Sequence, residues 1–395
     1  MLLGKDVDRL FFYVVVGFAL VSLPLKYFLL VFSDQWFDYS NLHAVHALKN
    51  ANEVDLVLLF ILNVFFCLAI CLPVWFSLKA LPLCYRVSSK VTFSFVTFFS
   101  VFIAGVVSMF LAKTFNLFYV GIEAESLPFK LYGQLKILAL CLPVFSVYYL
   151  YASGYKVVSL LFLLVVCIFN VSISGSKFSL LAPILLFVFL TNEKKVLSVG
   201  FVLIVCLYTV FNPYSFRGYI VNHADTFNVL DMFVYVLEDS LSLGRVVQSF
   251  VILVDRFPGA DVVINYYFYS GGVLNEFNVN DWYNVEVLRA GMMKGSFATS
   301  MAGYFYMLTD LWVVFFLPLF LVFVFFVRWI LGLHLSGSYV HSFNCVFFVF
   351  FVAMLLDGNM HLSYTYTSLY YFALVLLLVQ GVGFLLRGWV RCNEK

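Results

Sequence analysis

Apolar residues in this chain run unbroken over stretches long enough to cross a bilayer, and polar residues collect in the gaps. A helix rises about 1.5 Å per residue, so about 20 residues cross about 30 Å of hydrocarbon. Such runs lie near 10–32, 54–78, 91–112, 131–151, 157–174, 178–191, 196–212, 310–327, 341–357 and 364–386. The pattern predicts ten transmembrane helices, the sixth of them short. A β-barrel would instead alternate apolar and polar over segments of about 9–11 residues. The first run, from Leu10 to Phe32, is too long for a signal-peptide core and no small-residue cleavage site follows it, so it reads as a retained span.

Composition agrees with the pattern. Of 395 residues, 64% are hydrophobic and 11% charged, with a mean hydropathy of +1.01. Soluble domains carry roughly 45–50% apolar and about 25% charged residues. These figures exclude a soluble enzyme, a nucleic-acid-binding protein and a secreted one. Net charge is +2, and its distribution says more than its size. One set of loops holds Lys5, Arg9, Lys79, Arg86, Lys90, Lys156, Lys194, Lys195, Arg328, Arg387, Arg391 and Lys395 against Asp6, Asp8, Glu193 and Glu394. The positive-inside rule puts those loops and both termini of a multi-pass membrane protein in the cytoplasm. The eight cysteines lie in apolar runs or in these loops, which predicts neither a disulfide framework nor a thiolate metal site.

One stretch departs from the short-loop pattern. Residues 212–300, between the seventh and eighth spans, form a large outer loop with nine acids and five basics, set in a single transmembrane domain covering 1–395. Long loops tend to carry function. Its first half repeats apolar residues at Val229, Leu230, Phe233, Val236, Leu237, Leu241, Val247, Phe250, Val251 and Val254, which predicts one amphipathic helix over 227–256. Asp231, Glu238, Ser242, Arg245, Ser249 and Arg256 would share a stripe about 60° wide on it. Pro258-Gly259 ends the pattern. The second half, with Tyr266, Tyr267, Tyr269, Trp282 and Tyr283, reads as an ordered loop, at its simplest a lid resting in the headgroup region.

No phosphate-binding glycine loop, nucleophile elbow or HExxH occurs. His43 and His46 lack a third ligand; Asp34 with Asp38 and Glu123 with Glu125 are either the metal-holding carboxylates of a metal-dependent transferase or, more simply, solvated loop charges. The expectation is therefore no metal and no cofactor. The sharper signals are outer-loop cations: Arg217, Arg245, Arg256, Arg289 and Lys294. Guanidinium groups hold phosphate oxygens in bidentate fashion, so these residues either bind a diphosphate or pair with the loop's acids. Lys177 is the least expected charge. It follows Ser172-Ile173-Ser174-Gly175-Ser176 and opens thirteen apolar residues, so a helix starting there is too short to reach the outer surface. Lys177 then either snorkels or, beside a helix N-terminus, forms an anion site facing a protein cavity.

These elements resemble a known family. The Ser174-Gly175-Ser176-Lys177 turn is similar to the Ser-Gly-Ser-Arg turn of bacterial O-antigen and capsular repeat-unit polymerases. Asp255-Arg256-Phe257-Pro258-Gly259 resembles their Arg-Phe-Asp-Gly element, and Gly295 to Tyr306 resembles the segment leading into their next span. The resemblance covers about residues 170–330. Lys177 stands where arginine is usual, Tyr304 where glutamate is common and Asp310 where glycine is.

The resemblance implies a polytopic, lipid-carrier-dependent (GT-C-like) membrane glycosyltransferase. Its substrate would be an undecaprenyl-diphosphate-linked oligosaccharide, polymerised into O-antigen or capsular polysaccharide at the periplasmic face, and a chain-length regulator would be its protein partner. Glu238 is the expected base with His223 as second choice. Arg256, helped by Arg217, Lys177 and Arg289, would hold the donor diphosphate. Arg245 would hold the second lipid's diphosphate or Glu238. A ligase to the lipid A core shares these features. A flippase or other transporter would show paired broken helices in two halves, whereas one broken segment appears here.

Overall fold

The computed structural model describes residues 3–32, 53–85, 141–174, 177–210, 228–242, 312–335 and 337–357. Shorter pieces are described at 103, 212, 215–216, 218–219, 223, 244–245, 301–302, 305, 309, 372–374, 376–378 and 380–381. Among the described residues all regular structure is helical and there is no strand. Eight helices are named here: α1 (Leu3–Phe32), α2 (Glu53–Ala80), α3 (Lys156–Ser174), α4 (Lys177–Thr191), α5 (Lys194–Val210), α6 (Val229–Ser240), α7 (Val313–Leu333) and α8 (Ser338–Asp357). Three stretches of the described residues are long and apolar enough to cross a membrane: Phe60–Ala80, Val313–Leu333 and Ser338–Leu355. The shorter apolar helices Cys141–Ala152, Lys156–Val171, Leu180–Thr191 and Lys195–Ile204 accompany them. The expected spans at 91–112 and 364–386 lie largely outside the described residues.

Two helices form the centre. Every residue of α4 from Leu180 to Leu190 is buried, and so are Phe343 to Leu355 of α8. Their sequences are apolar on all sides, which suits only a helix surrounded by others. α4 packs on α8, α3, α5 and α1, while α2 packs on α1 and α7 outside this core. α2 and α7 bury one face each and expose Leu72, Trp75, Phe76, Phe315, Leu319 and Phe323 on the other, a surface suited to lipid rather than water. Aromatic rings tie the helices together. Phe11 of α1 stacks on Phe348 of α8 at 3.9 Å and 5°, and meets Phe189 of α4 edge-on at 6.2 Å.

The expected interruption between the fifth and sixth spans is present as two helices, α3 ending at Ser174 and α4 opening at Lys177. α4 ends where Asn192 takes a left-handed φ of 51°, donating its N–H to the Val188 carbonyl, while Thr191 Oγ1 donates to Phe187. Asparagine tolerates that conformation at a helix end better than most residues. The chain then returns as α5 in close contact. A Cβ on Gly200 would stand 2.7 Å from Val188 Cγ2, so only glycine permits this approach.

At the far end of α3 and α4, Tyr151 donates to Glu193 at 2.9 Å, joining the turn before α3 to the turn after α4. α3 therefore runs away from this end of the bundle and α4 comes back to it. Asp8, Tyr85, Arg328 and His341 meet at the same end (below). Among the described residues, Arg9, Lys79, Lys156, Lys195 and Arg328 thus belong to segments that converge at one end of the bundle, which is the grouping the charge pattern predicts.

Candidate functional site

α6 begins on a sequence-encoded cap. Asn228, in extended conformation, accepts from the Leu230 N–H at 3.0 Å, filling one of the donors a helix start leaves empty. Tyr219 fixes that cap by donating to the Asn228 carbonyl at 3.1 Å. At its other end α6 is pinned to the exit of α5. The Asn212 N–H donates to Ser240 Oγ at 3.0 Å, and Ser240 Oγ donates to Ser215 Oγ at 3.1 Å, all three residues buried. Phe216 meets Phe233 edge-on at 6.1 Å beside them.

The helix stops at Ser240, not at residue 256. Ser242 Oγ donates to the Asp239 carbonyl at 2.7 Å and accepts the Arg245 N–H at 3.4 Å, so one serine closes α6 and opens the next turn at 244–245. Serine hydroxyls compete for backbone groups in this way, which apolar periodicity does not register. The break changes the expected stripe. Arg245 Nε bonds Asp239 Oδ2 at 2.9 Å, both groups part-exposed, so this guanidinium is engaged by Asp239 in place of Glu238.

Glu238 is exposed on α6, and its carboxylate makes no hydrogen bond among the described residues. His223 is half-buried, stacked on Tyr219 at 4.5 Å and 14°, with Tyr235 edge-on at 6.0 Å. Its Nδ1 lies 3.2 Å from the Tyr219 carbonyl. A carbonyl only accepts, so that bond puts the proton on Nδ1 and leaves the Nε2 lone pair as the basic atom. Tyr235, against His223, is one turn before Glu238 on α6, so the two candidate bases belong to one neighbourhood. Lys177 is the first residue of α4, and its side chain lies outside the described residues. So do Arg217, Arg256 and Arg289, the paired His43 and His46, and Asp34 and Asp38.

A second polar constellation, at the opposite end of the bundle, escaped the sequence reading. Arg328 and Asp8 look like ordinary solvated loop charges, yet Arg328 is fully buried and Asp8 nearly so. Arg328 Nη2 bonds Asp8 Oδ1 at 2.6 Å, and Arg328 Nε donates to Asn344 Oδ1 at 2.7 Å. Asn344 Nδ2 donates onward to Asp8 Oδ1 at 3.1 Å and to the Tyr85 hydroxyl at 3.4 Å. Tyr85 pairs with His341 Nδ1 at 3.1 Å, and His341 Nε2 with the Leu190 carbonyl at 3.2 Å. Because Leu190 can only accept, Nε2 carries hydrogen and Nδ1 accepts from Tyr85, so the bonds run in one consistent direction from Asn344 to Leu190. Burial pushes the Tyr85 phenol above its ordinary range, which keeps it protonated and donating.

Phe325, Phe347 and Phe348 surround the guanidinium at 5.7, 5.8 and 5.0 Å. A glycine admits the linker that brings Tyr85. A Cβ on Gly332 would come within 2.5 Å of Leu83. The geometry ties α1, the 81–85 linker, α4, α7 and α8 at one point, and its buried side chains present no face to a substrate. The cluster around α6 is therefore the candidate functional site. No protein-family model, curated protein or solved structure matches this chain.

Proposed function

We propose that the chain is an inner-membrane glycosyltransferase that joins undecaprenyl-diphosphate-linked oligosaccharide repeat units into O-antigen or capsular polysaccharide on the periplasmic face. The observation that carries this reading is the pinning of α6 to the exit of α5, through Asn212 and Ser240 at 3.0 Å. That contact keeps the exposed Glu238 carboxylate and Arg245 where an apolar helix ends, near His223, whose Nε2 makes no hydrogen bond among the described residues. On this reading, a lipid-carried diphosphate would emerge from the hydrocarbon at that same level. The motif resemblance at Ser174–Lys177, Asp255–Gly259 and Gly295–Tyr306 supports it from sequence.

The acceptor sugar hydroxyl gives its proton to Glu238 or to His223 Nε2 as its oxygen bonds to the anomeric carbon of the donor glycan. The bond from that carbon to the carrier diphosphate breaks, and the negative charge released is held by cations. Arg256 with Arg217, Lys177 and Arg289 supplies them. Arg245, already bonded to Asp239, positions the end of α6 and contributes charge at one remove. The test is a deletion strain whose surface polysaccharide is resolved on a gel. Loss of the ladder with one capped repeat retained is expected. Loss of the single capped repeat as well assigns the protein to ligation or flipping.

A further inference from the structure

α6 has three faces. At about 100° per residue, Met232, Val236 and Ser240 fall on one side, where all three are buried. Asp231 and Glu238 fall within about 20° of each other on a second, exposed side. Leu230, Val234, Leu237 and Leu241 occupy a third side about 60° wide, spaced 4, 3 and 4 residues apart. All four are exposed, Leu230 at 72% and Leu241 at 61%. An apolar stripe of that regularity is not left to water.

The depth of α6 follows from its attachment. α5 starts at Lys194-Lys195, where Lys195 is exposed, and its 17 residues rise about 25 Å, slightly less than the hydrocarbon thickness of about 30 Å. Asn212, two residues beyond α5, bonds Ser240 directly, and α6 packs against α5. The C-terminal end of α6 is thus held at the outer edge of the hydrocarbon. α5 itself exposes Val199, Val202 and Cys206 at helical spacing, an outward apolar strip on the helix to which α6 is tied.

We infer that α6 is a membrane-surface helix whose Leu230, Val234, Leu237 and Leu241 side chains are seated in the acyl chains of the outer leaflet. Its Met232 face grips the protein and its Asp231 and Glu238 stripe turns to the water side of the headgroups. Protein, lipid and water each take one face. The arrangement rests on α5 being a span and is independent of the polymerase reading. Seated in this way, the leucine stripe fixes the height of Glu238 above the hydrocarbon.

The experiment is site-directed spin labelling of the full-length chain in vesicles of phosphatidylethanolamine and phosphatidylglycerol containing no polyprenyl lipid. Cys84, Cys206 and Cys392 are replaced by serine, and single cysteines are placed at 230, 231, 234, 237, 238 and 241, with Val202→Cys as the reference on α5. Collision with oxygen should dominate over collision with a nickel chelate at 230, 234, 237, 241 and 202, and the ratio should invert at 231 and 238. Nickel access along the leucine stripe with Val202→Cys still in lipid would overturn the docking alone. Low access to both reagents along the stripe would mean that protein covers it, which also overturns the docking. Nickel access at Val202→Cys too would overturn the span and the docking together.

Discussion

His223 and Glu238 differ in what surrounds them, and that difference is testable one side chain at a time. His223 is oriented by a stacked tyrosine and a backbone carbonyl, while Glu238 stands in the open. If either removes the acceptor proton, Glu238→Gln or His223→Phe should abolish long polymer while the protein remains at normal level in the membrane. A full ladder from both variants would remove base catalysis from this cluster. General-base removal costs typically 10²–10⁴-fold in rate, enough to erase a ladder.

The Asp8–Arg328 pair calls for a different measurement, since its role is to hold helices. Removing one partner leaves an unpaired buried charge at a cost of roughly 3–5 kcal/mol, and removing both relieves much of it. Asp8→Asn and Arg328→Met should each lower thermal stability in detergent, and the double variant should be less damaged than the sum of the two. Additive losses would show that the pair is not coupled.

Among the elements, the α4–α5 hairpin rests on the absence of a side chain at Gly200. Valine there gains little as a helix former and must displace Val188, whose buried Cγ2 lies 2.7 Å from the new Cβ. Overpacking of this kind costs about 1–3 kcal/mol. Gly200→Val should therefore lower the melting temperature in detergent, whereas Gly17→Val, with nothing within 4 Å of its Cβ, should not. α6 presents the complementary case. Its start is written in Asn228 and its end in Ser242, and the second of these changed the expected 227–256 helix into a shorter one. Arg245 consequently faces Asp239.

For the whole molecule, the sidedness of the charged loops makes the first prediction. Cys84, exposed in the linker after α2, should react with a membrane-permeant maleimide and resist an impermeant one in right-side-out vesicles. An Arg245→Cys variant lacking Cys84 and Cys206 should react with both. The reverse pattern would invert the topology. A second prediction concerns the leaving diphosphate. On the proposed function, Arg217, Arg256, Arg289 and Lys177 would neutralise it without a metal ion. Turnover by purified protein should then persist in EDTA; abolition by chelation with rescue by Mg²⁺ would transfer the role to Asp34 and Asp38.

Hydropathy alone marked the chain as a helical membrane protein, because so many continuous apolar runs exceed what a soluble fold of this length can bury. It also marked the interruption at Ser174–Lys177, since a polar turn inside an apolar run breaks a local rule. The grouping of basic loops at one face was legible for the same reason: positive-inside bias is a property of the linear chain. Burial was not legible. Asp8 and Arg328 sit 320 residues apart and look like solvated loop charges until α1, α7 and α8 close around them. Nothing local distinguishes a charge that pairs across the bundle from one that faces water. The same holds for Arg245, whose partner was decided by a serine hydroxyl, and for the leucines of α6, whose exposure depends on which face α5 covers. The linear chain dictates what each segment must avoid, whereas partners at long range are chosen only when the helices pack.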